Sequence, residues 1–155
     1  MAAGSITRAT PSRVAINSVV TSSLIVQTAG RGFTDLTRDV QAFLREIVAA
    51  EGAVTVFIRH TSASLTIQEN ADPTVLRDLT TALSRLAPED AGWVHDTEGP
   101  DDMPAHVKTM LSSVSLQVPV RNGRTLLGTW QAIYLIEHRA RPHAREVVLQ
   151  FIGAV

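Results

Sequence analysis

The chain has 155 residues, a formal net charge of −1, 45% hydrophobic residues and no cysteine. That length suits about one domain, with a core that needs no covalent staples; without cysteine there is no disulfide framework, thiolate metal site or thiol nucleophile, so a bound metal must be held by His, Asp or Glu. The balanced charge offers no basic patch for nucleic acid, no apolar run approaches the roughly 20 residues that cross a bilayer, and the N-terminus lacks a signal-peptide core, so a cytoplasmic protein partnered with neither nucleic acid nor membrane is expected.

Residues 1–12 are small and polar without periodicity, which predicts a flexible tail before a single domain over 13–155. From Arg13 to Ala29 the pattern is β, with Thr21-Ser22-Ser23 reading as a turn between two strands. Thr34 is placed to cap a helix whose face carries Leu36, Val40, Phe43, Leu44, Ile47 and Val48, ended by Gly52. Ala53 to Arg59 is a β-forming run with blurred alternation, as expected of a strand buried on both faces. Leu65-Thr66-Ile67 resumes a strand. Asp72-Pro73 then sets an N-cap and a first helical position for a helix with Val75, Leu76, Leu79, Leu83 and Leu86 on one side.

A short helix is expected from about Pro104 to Ser112, with Val107, Met110 and Leu111 inward. Ser115 to Val120 reads as a strand and Asn122-Gly123 as a two-residue hairpin turn, because both centres of a type I′ turn need positive φ. A long strand over Arg124 to Arg139 and a last one over Glu146 to Ile152 complete the chain. Short turns between consecutive strands, with helices inserted between hairpins, predict an α+β fold. It has mostly antiparallel, sandwich-like sheets, two main helices and one short helix.

Chemistry concentrates in three stretches. His95 to His106 packs two imidazoles with Asp96, Glu98, Asp101 and Asp102 onto a backbone that Gly99, Pro100 and Pro104 keep irregular at its start. Dense carboxylate and imidazole on a loop is how proteins hold a cation or place acid–base groups, although a solvated acidic loop has the same composition. Arg59 to Asp72 interrupts a buried strand with His60-Thr61-Ser62 and closes on Glu69-Asn70. Hydroxyl groups there suit phosphate oxygens, while solvent-facing strand residues and a plain helix cap fit equally. Gly128-Thr129-Trp130-Gln131 offers a glycine inside a strand, a flat indole wall and an amide that reads ring edges; core packing is the alternative. His138, at a strand end, is placed to join His95 and His106. Imidazoles with a carboxylate would suit zinc, and the carboxylates alone would suit magnesium and a diphosphate.

His60-Thr61-Ser62-Ala63-Ser64-Leu65 through Glu69-Asn70-Ala71-Asp72-Pro73, then Glu98 through His106, then Leu127-Gly128-Thr129-Trp130-Gln131 with Glu137-His138-Arg139, resemble the YjbQ family (UPF0047). That family is described as a secondary thiamine-phosphate synthase. The resemblance covers roughly residues 14–154. It implies a homotrimer with sites near subunit boundaries, and a transferase that joins an aminopyrimidine-methyl diphosphate to a thiazole phosphate with release of pyrophosphate. On that reading His60, Glu69, Asp102 and His106 are the catalytic candidates, and a divalent metal, Mg or Zn, is held among His95, Glu98, Asp101, His106 and His138. The small phosphorylated heterocyclic substrate meets Arg59, Thr61, Ser62, Asn70, Lys108, Gly128, Trp130 and Gln131. A zinc-dependent hydrolase and a non-catalytic binder of small phosphorylated molecules are the competing readings, since neither a Gly-rich phosphate loop nor a cluster of basic residues is present.

Overall fold

Two antiparallel sheets share one core. The computed structural model describes residues 4–155, and residues 4–17 form no helix or strand. The expected tail therefore lies in this stretch, apart from residues 1–3, which fall outside the described residues. In chain order the elements are β1 (Ser18–Gln27), β2 (Gly32–Asp35), α1 (Thr37–Glu46), β3 (Glu51–Ile58) and β4 (Ala63–Glu69). There follow α2 (Pro73–Leu86), α3 (Asp102–Leu111), β5 (Ser115–Arg121), β6 (Arg124–Thr125), β7 (Gln131–Glu137) and β8 (Ala144–Ala154). The larger sheet runs β1-β8-β3-β5-β6 and the smaller β2-β7-β4.

The inner face of the larger sheet brings Val54, Val56, Ile58, Val118, Val120, Val147, Leu149 and Phe151 against Leu65, Ile133 and Leu135 of the smaller. Leu36 joins Val40, Phe43 and Leu44 of α1 in the same cluster. Truncating one of these fully buried aliphatics to Ala would cost about 2–5 kcal/mol. β7 is the middle strand of the smaller sheet, and every residue from Ala132 to His138 is buried. Its unbroken apolar run reflects cover on both faces.

Several expectations are corrected. Thr21, Ser22 and Ser23 make no turn: they pair with Gln150, Leu149 and Val148 inside one continuous β1. Small hydroxyl residues tolerate an edge strand with one exposed face as readily as a turn. Thr34 is a strand residue, and the Asp35 carboxylate accepts from the Thr37 N–H instead (2.8 Å). The helix ends at Glu46, and Gly52 lies within β3, where it pairs across to Gly153. β3 is buried on one face only, with Phe57 on the outer side 41% exposed.

The run Arg124 to Arg139 is not one strand. It splits into β6 in one sheet and β7 in the other, joined by a turn in which the Gln131 N–H donates to the Gly128 carbonyl (2.9 Å). Gly128 is thus a turn residue rather than a strand bulge. Helix α3 begins at Asp102, and its inward face is Pro104, Ala105 and Lys108, while Met110 and Leu111 point out. The Asn122-Gly123 turn is as expected, with φ of 50° and 71°, and Asp72 caps α2 through the Thr74 N–H (2.8 Å).

Candidate functional site

The connection from α2 to α3 and the first turns of α3 lie across the end of the smaller sheet where β4 begins and β7 ends. Arg139, just beyond β7, fixes them there. Its Nε donates to Asp101 Oδ2 (3.2 Å), its Nη1 to Asp102 Oδ1, and its Nη2 to the Glu98 carbonyl (2.8 Å). A planar guanidinium fork can hold three acceptors at once, and its orientation then fixes theirs. The Ala140 N–H adds a bond to Asp101 Oδ2 (2.7 Å). Burial pushes the Asp101 carboxyl up, but the Ala140 and Arg139 bonds outweigh it and leave it below the ordinary carboxylate range.

With Oδ1 committed to Arg139, the Asp102 Oδ2 atom faces two imidazoles. His95 Nε2 stands 2.8 Å away and His106 Nε2 3.4 Å away. One ligand atom from each of His95, Asp102 and His106 lies within 4.8 Å of the other two. The Asp102 carboxylate is 3% exposed, while the two histidines remain partly open. His106 Nδ1 lies 3.0 Å from the Thr61 carbonyl, which can only accept. The ring proton therefore sits on Nδ1, and Nε2 of the neutral ring presents a lone pair toward a carboxylate oxygen. Two acceptors in that relation need a proton or a cation between them. A histidine tied to a backbone carbonyl through its other nitrogen is also the usual support of a metal ligand. Two nitrogens and one oxygen, with room on the open side, fit a divalent ion of the zinc type better than magnesium, which favours an octahedron of oxygens.

Beside this cluster is a cleft of about 430 Å³, lined by Arg31, Glu89, Glu98 to Asp101, Arg139 to Arg141 and His143. Its size is in the range that accepts small organic ligands. Arg31 pairs with Glu89 across the cleft, and the Glu98 carboxylate is 68% exposed.

Other sequence candidates fall elsewhere. His138 is buried, with Nε2 2.8 Å from the Ser64 hydroxyl, and does not join the His95–Asp102–His106 group. Burial, then the Lys108 charge, pushes its pKa down to about 4. His60 Nε2 accepts from the Glu146 N–H (2.9 Å), and burial followed by the Arg145 charge lowers its pKa. Arg59 pairs with Glu146 (3.1 Å) on the surface. Thr61 and Ser62 contribute carbonyls, Ser62 to Arg145 Nη2 (3.4 Å). Lys108 is 4% exposed behind Arg31; desolvation, then Arg31, depresses its amine below the ordinary lysine value.

Glu69, Asn70, Gly128, Trp130 and Gln131 gather at the opposite end of β4 and β7. There the Asn70 N–H donates to the Trp130 carbonyl (3.1 Å) and Gln131 Oε1 accepts from the Gly128 N–H (2.8 Å). The seven residues of β4 separate the two ends by about 20 Å. Within one chain the residues of the three motifs therefore lie in two separate places.

Two arginines have roles that the sequence does not assign, although Arg139 stands within the motif of the resemblance. Arg139 assembles the carboxylates. Arg145 is fully enclosed and grips Glu137 with two bonds, Nη2 to Oε1 (2.6 Å) and Nε to Oε2 (2.7 Å). The signal for Arg145 was its place in β8: it shares the inward alternation of Val147, Leu149 and Phe151, where an unpaired charge is untenable.

The YjbQ-like UPF0047 family model matches residues 22–154. The UPF0047 protein sll1880 of Synechocystis is 48% identical over 133 residues, covering 85% of this chain and 90% of that one. The UPF0047 protein YjbQ of Salmonella typhimurium is 43% identical over 124 residues, covering 79% and 90%. Among solved structures, the conserved hypothetical protein TT1486 of Thermus thermophilus superposes with a TM-score of 0.76 at 38% identity, covering 84% of this chain and 98% of that one. A YbjQ-like protein of unknown function from Sulfolobus solfataricus, at 22% identity and a TM-score of 0.82, shares the fold over 88% of this chain and 99% of its own. The chain belongs to the YjbQ-like UPF0047 family.

Proposed function

We propose that this protein is a metal-dependent enzyme acting on a small phosphorylated heterocycle, with a divalent cation held by His95, Asp102 and His106. The observation that carries the reading is the convergence of three ligand atoms within 4.8 Å, one imidazole oriented by a backbone carbonyl and the carboxylate oriented by Arg139. A cation held there would supply Lewis acidity toward a phosphoryl or diphosphate oxygen. The chain's own groups do the rest: Arg31, Arg141 and His143 line the cleft where the anionic part of the substrate binds, and the exposed Glu98 carboxylate can take up a proton at its mouth.

Two reactions fit that arrangement. In a transfer of the thiamine-phosphate synthase type, the carbon–oxygen bond of an aminopyrimidine-methyl diphosphate breaks, pyrophosphate leaves and the thiazole nitrogen takes the carbon. In the hydrolytic alternative, water replaces the thiazole. The nitrogen-rich donor set favours zinc and so lends weight to the second. The experiment gives metal-loaded protein both thiamine precursors, or the diphosphate alone, and follows pyrophosphate release. No release above that of a His106→Ala, Asp102→Asn double variant, with zinc or magnesium, would sink both.

The separated Glu69–Trp130 end supports a homotrimer in which one chain's indole and amide complete a neighbour's cluster. No helix among the described residues is long and apolar enough to cross a membrane, and the reading takes a cytoplasmic location for the chemistry.

A further inference from the structure

Lys108 is the chain's single lysine and is 4% exposed. Among the described residues its amine has no acidic partner within 4.0 Å, unlike the other buried charged side chains, and it is not sealed off but keeps a small opening. Asp102 has Arg139, and Glu137 has Arg145. Burying an ammonium without a counter-charge is costly, which depresses the amine's pKa here, and an anionic ligand would supply the missing charge. The neighbouring His138 carries no negative charge in either protonation state and is no counter-ion.

The space in front of the amine is a chamber of about 10 Å³, lined by Arg31, Thr80, Ser84 and His138 among others. That is room for about one water, or for one oxygen of a larger group. Arg31 is the shared wall: it also lines the 430 Å³ cleft beside the His95–Asp102–His106 cluster. Lys108 and Asp101 are seven residues apart, two helical turns along one face, so about 10 Å separates the chamber from the carboxylates at the start of α3. Arg31, which lines the chamber, pairs at the surface with Glu89, the acidic group whose charge is felt most by Lys108.

We propose that Lys108 and Arg31 form an anion subsite that receives one oxygen of a terminal oxyanion group, phosphoryl or carboxylate, of the ligand in the adjoining cleft. Glu89 holds Arg31 until the ligand's oxygens replace it. The subsite deepens the proposed function and rests on it for the reacting end of the substrate; the anion-binding groups themselves need no metal.

The test uses chelator-treated, metal-free protein, titrated calorimetrically with inorganic phosphate and, separately, with acetate. The wild type should bind at least one; the preferred anion then names the group. Lys108→Met should weaken that binding roughly tenfold to a hundredfold, the size of a lost charge-assisted hydrogen bond. Its melting temperature should equal or exceed that of the wild type, because a buried unpaired charge has become apolar. Its zinc binding should be unchanged. Binding of neither anion by the wild type, or undiminished binding by Lys108→Met, overturns the subsite. Should Lys108→Met fail to fold, Lys108 is a structural residue and the subsite also falls, unless Arg31→Gln, a surface change, weakens anion binding by itself. Failure of the wild type to take up zinc, measured by elemental analysis, strikes the metal centre alone.

Discussion

Asp102 couples the two halves of the candidate centre, one oxygen to Arg139 and the other to the histidines. Asp102→Asn keeps the shape and removes the charge. Zinc content, measured by elemental analysis after dialysis, should fall to background, with a stability loss of about 1–3 kcal/mol. Glu137→Gln is the structural counterpart. Burial works against ionising Glu137, but the Arg145, Arg139 N–H and Thr28 bonds hold its carboxyl below the ordinary range. Gln leaves the Arg145 charge buried and unmatched, so urea unfolding should show a loss of about 3–5 kcal/mol, with zinc content unchanged. His138 gives the molecule a pH dependence. Its pKa is near 4 when folded and about 6.5 when unfolded. Between those values the unfolded chain binds a proton that the native chain refuses. Stability is therefore full above about pH 6.5 and falls as the pH drops toward 4, by roughly 3 kcal/mol for this group. His60 acts in the same direction. Wild-type stability measured from pH 7 to 4.5 should lose more than that of His138→Gln; parallel curves would remove His138 as the cause.

At the scale of elements, local signals translate directly into structure. Gly123 has φ of 71°, and a Cβ there would lie 2.8 Å from the Ala49 carbonyl oxygen. Gly123→Ala should cost about 1–2 kcal/mol or more, read as a lower urea midpoint with unchanged slope. The same hairpin was legible in the sequence because type I′ geometry is decided by two residues, and Asp72-Pro73 was legible because a cap is decided by three. The strand from Arg124 to Arg139 was not. Its residues favour β structure throughout, and only the Gln131 side chain folding back on Gly128 hands the chain from one sheet to the other. The inward face of α3 was misjudged for a related reason: Lys108 is buried by what surrounds it, while Met110, an apolar residue, is left out at 85% exposure. For the site, composition marked the 95–106 loop, but the eleven-residue separation of His95 and His106 carries no fixed geometry. Their meeting depends on Arg139, from a strand end over thirty residues later, and no local pattern reports that.

At the scale of the whole molecule the outer face of the larger sheet is the unsatisfied feature. Register places Val19 opposite Ile152, Ile152 opposite Ala53, and Phe57 opposite Val148, all on the side away from the core. Val19 and Ile25 are more than 60% exposed, and Phe57 and Ile152 more than a third. Thr21, Thr55, Glu146 and Gln150 share that face, so it is mixed, and its exposed apolar side chains make it a candidate interaction surface. We propose a second copy of the chain as the partner, which would also account for the Glu69–Trp130 end lying about 20 Å from the histidines. Association of identical chains and completion of the site then become one event with two readouts. Phe57→Glu replaces an exposed apolar side chain of that face by a charge without touching the core, so its melting temperature as a separate chain should stay close to that of the diluted wild type. Light scattering should give a trimer mass for the wild type and a monomer mass for Phe57→Glu. Turnover by the variant should fall in step with the loss of trimer, while its zinc content stays that of the wild type, because His95, Asp102 and His106 come from one chain. A wild type that is monomeric at micromolar concentration and fully active would separate the apolar face from the chemistry.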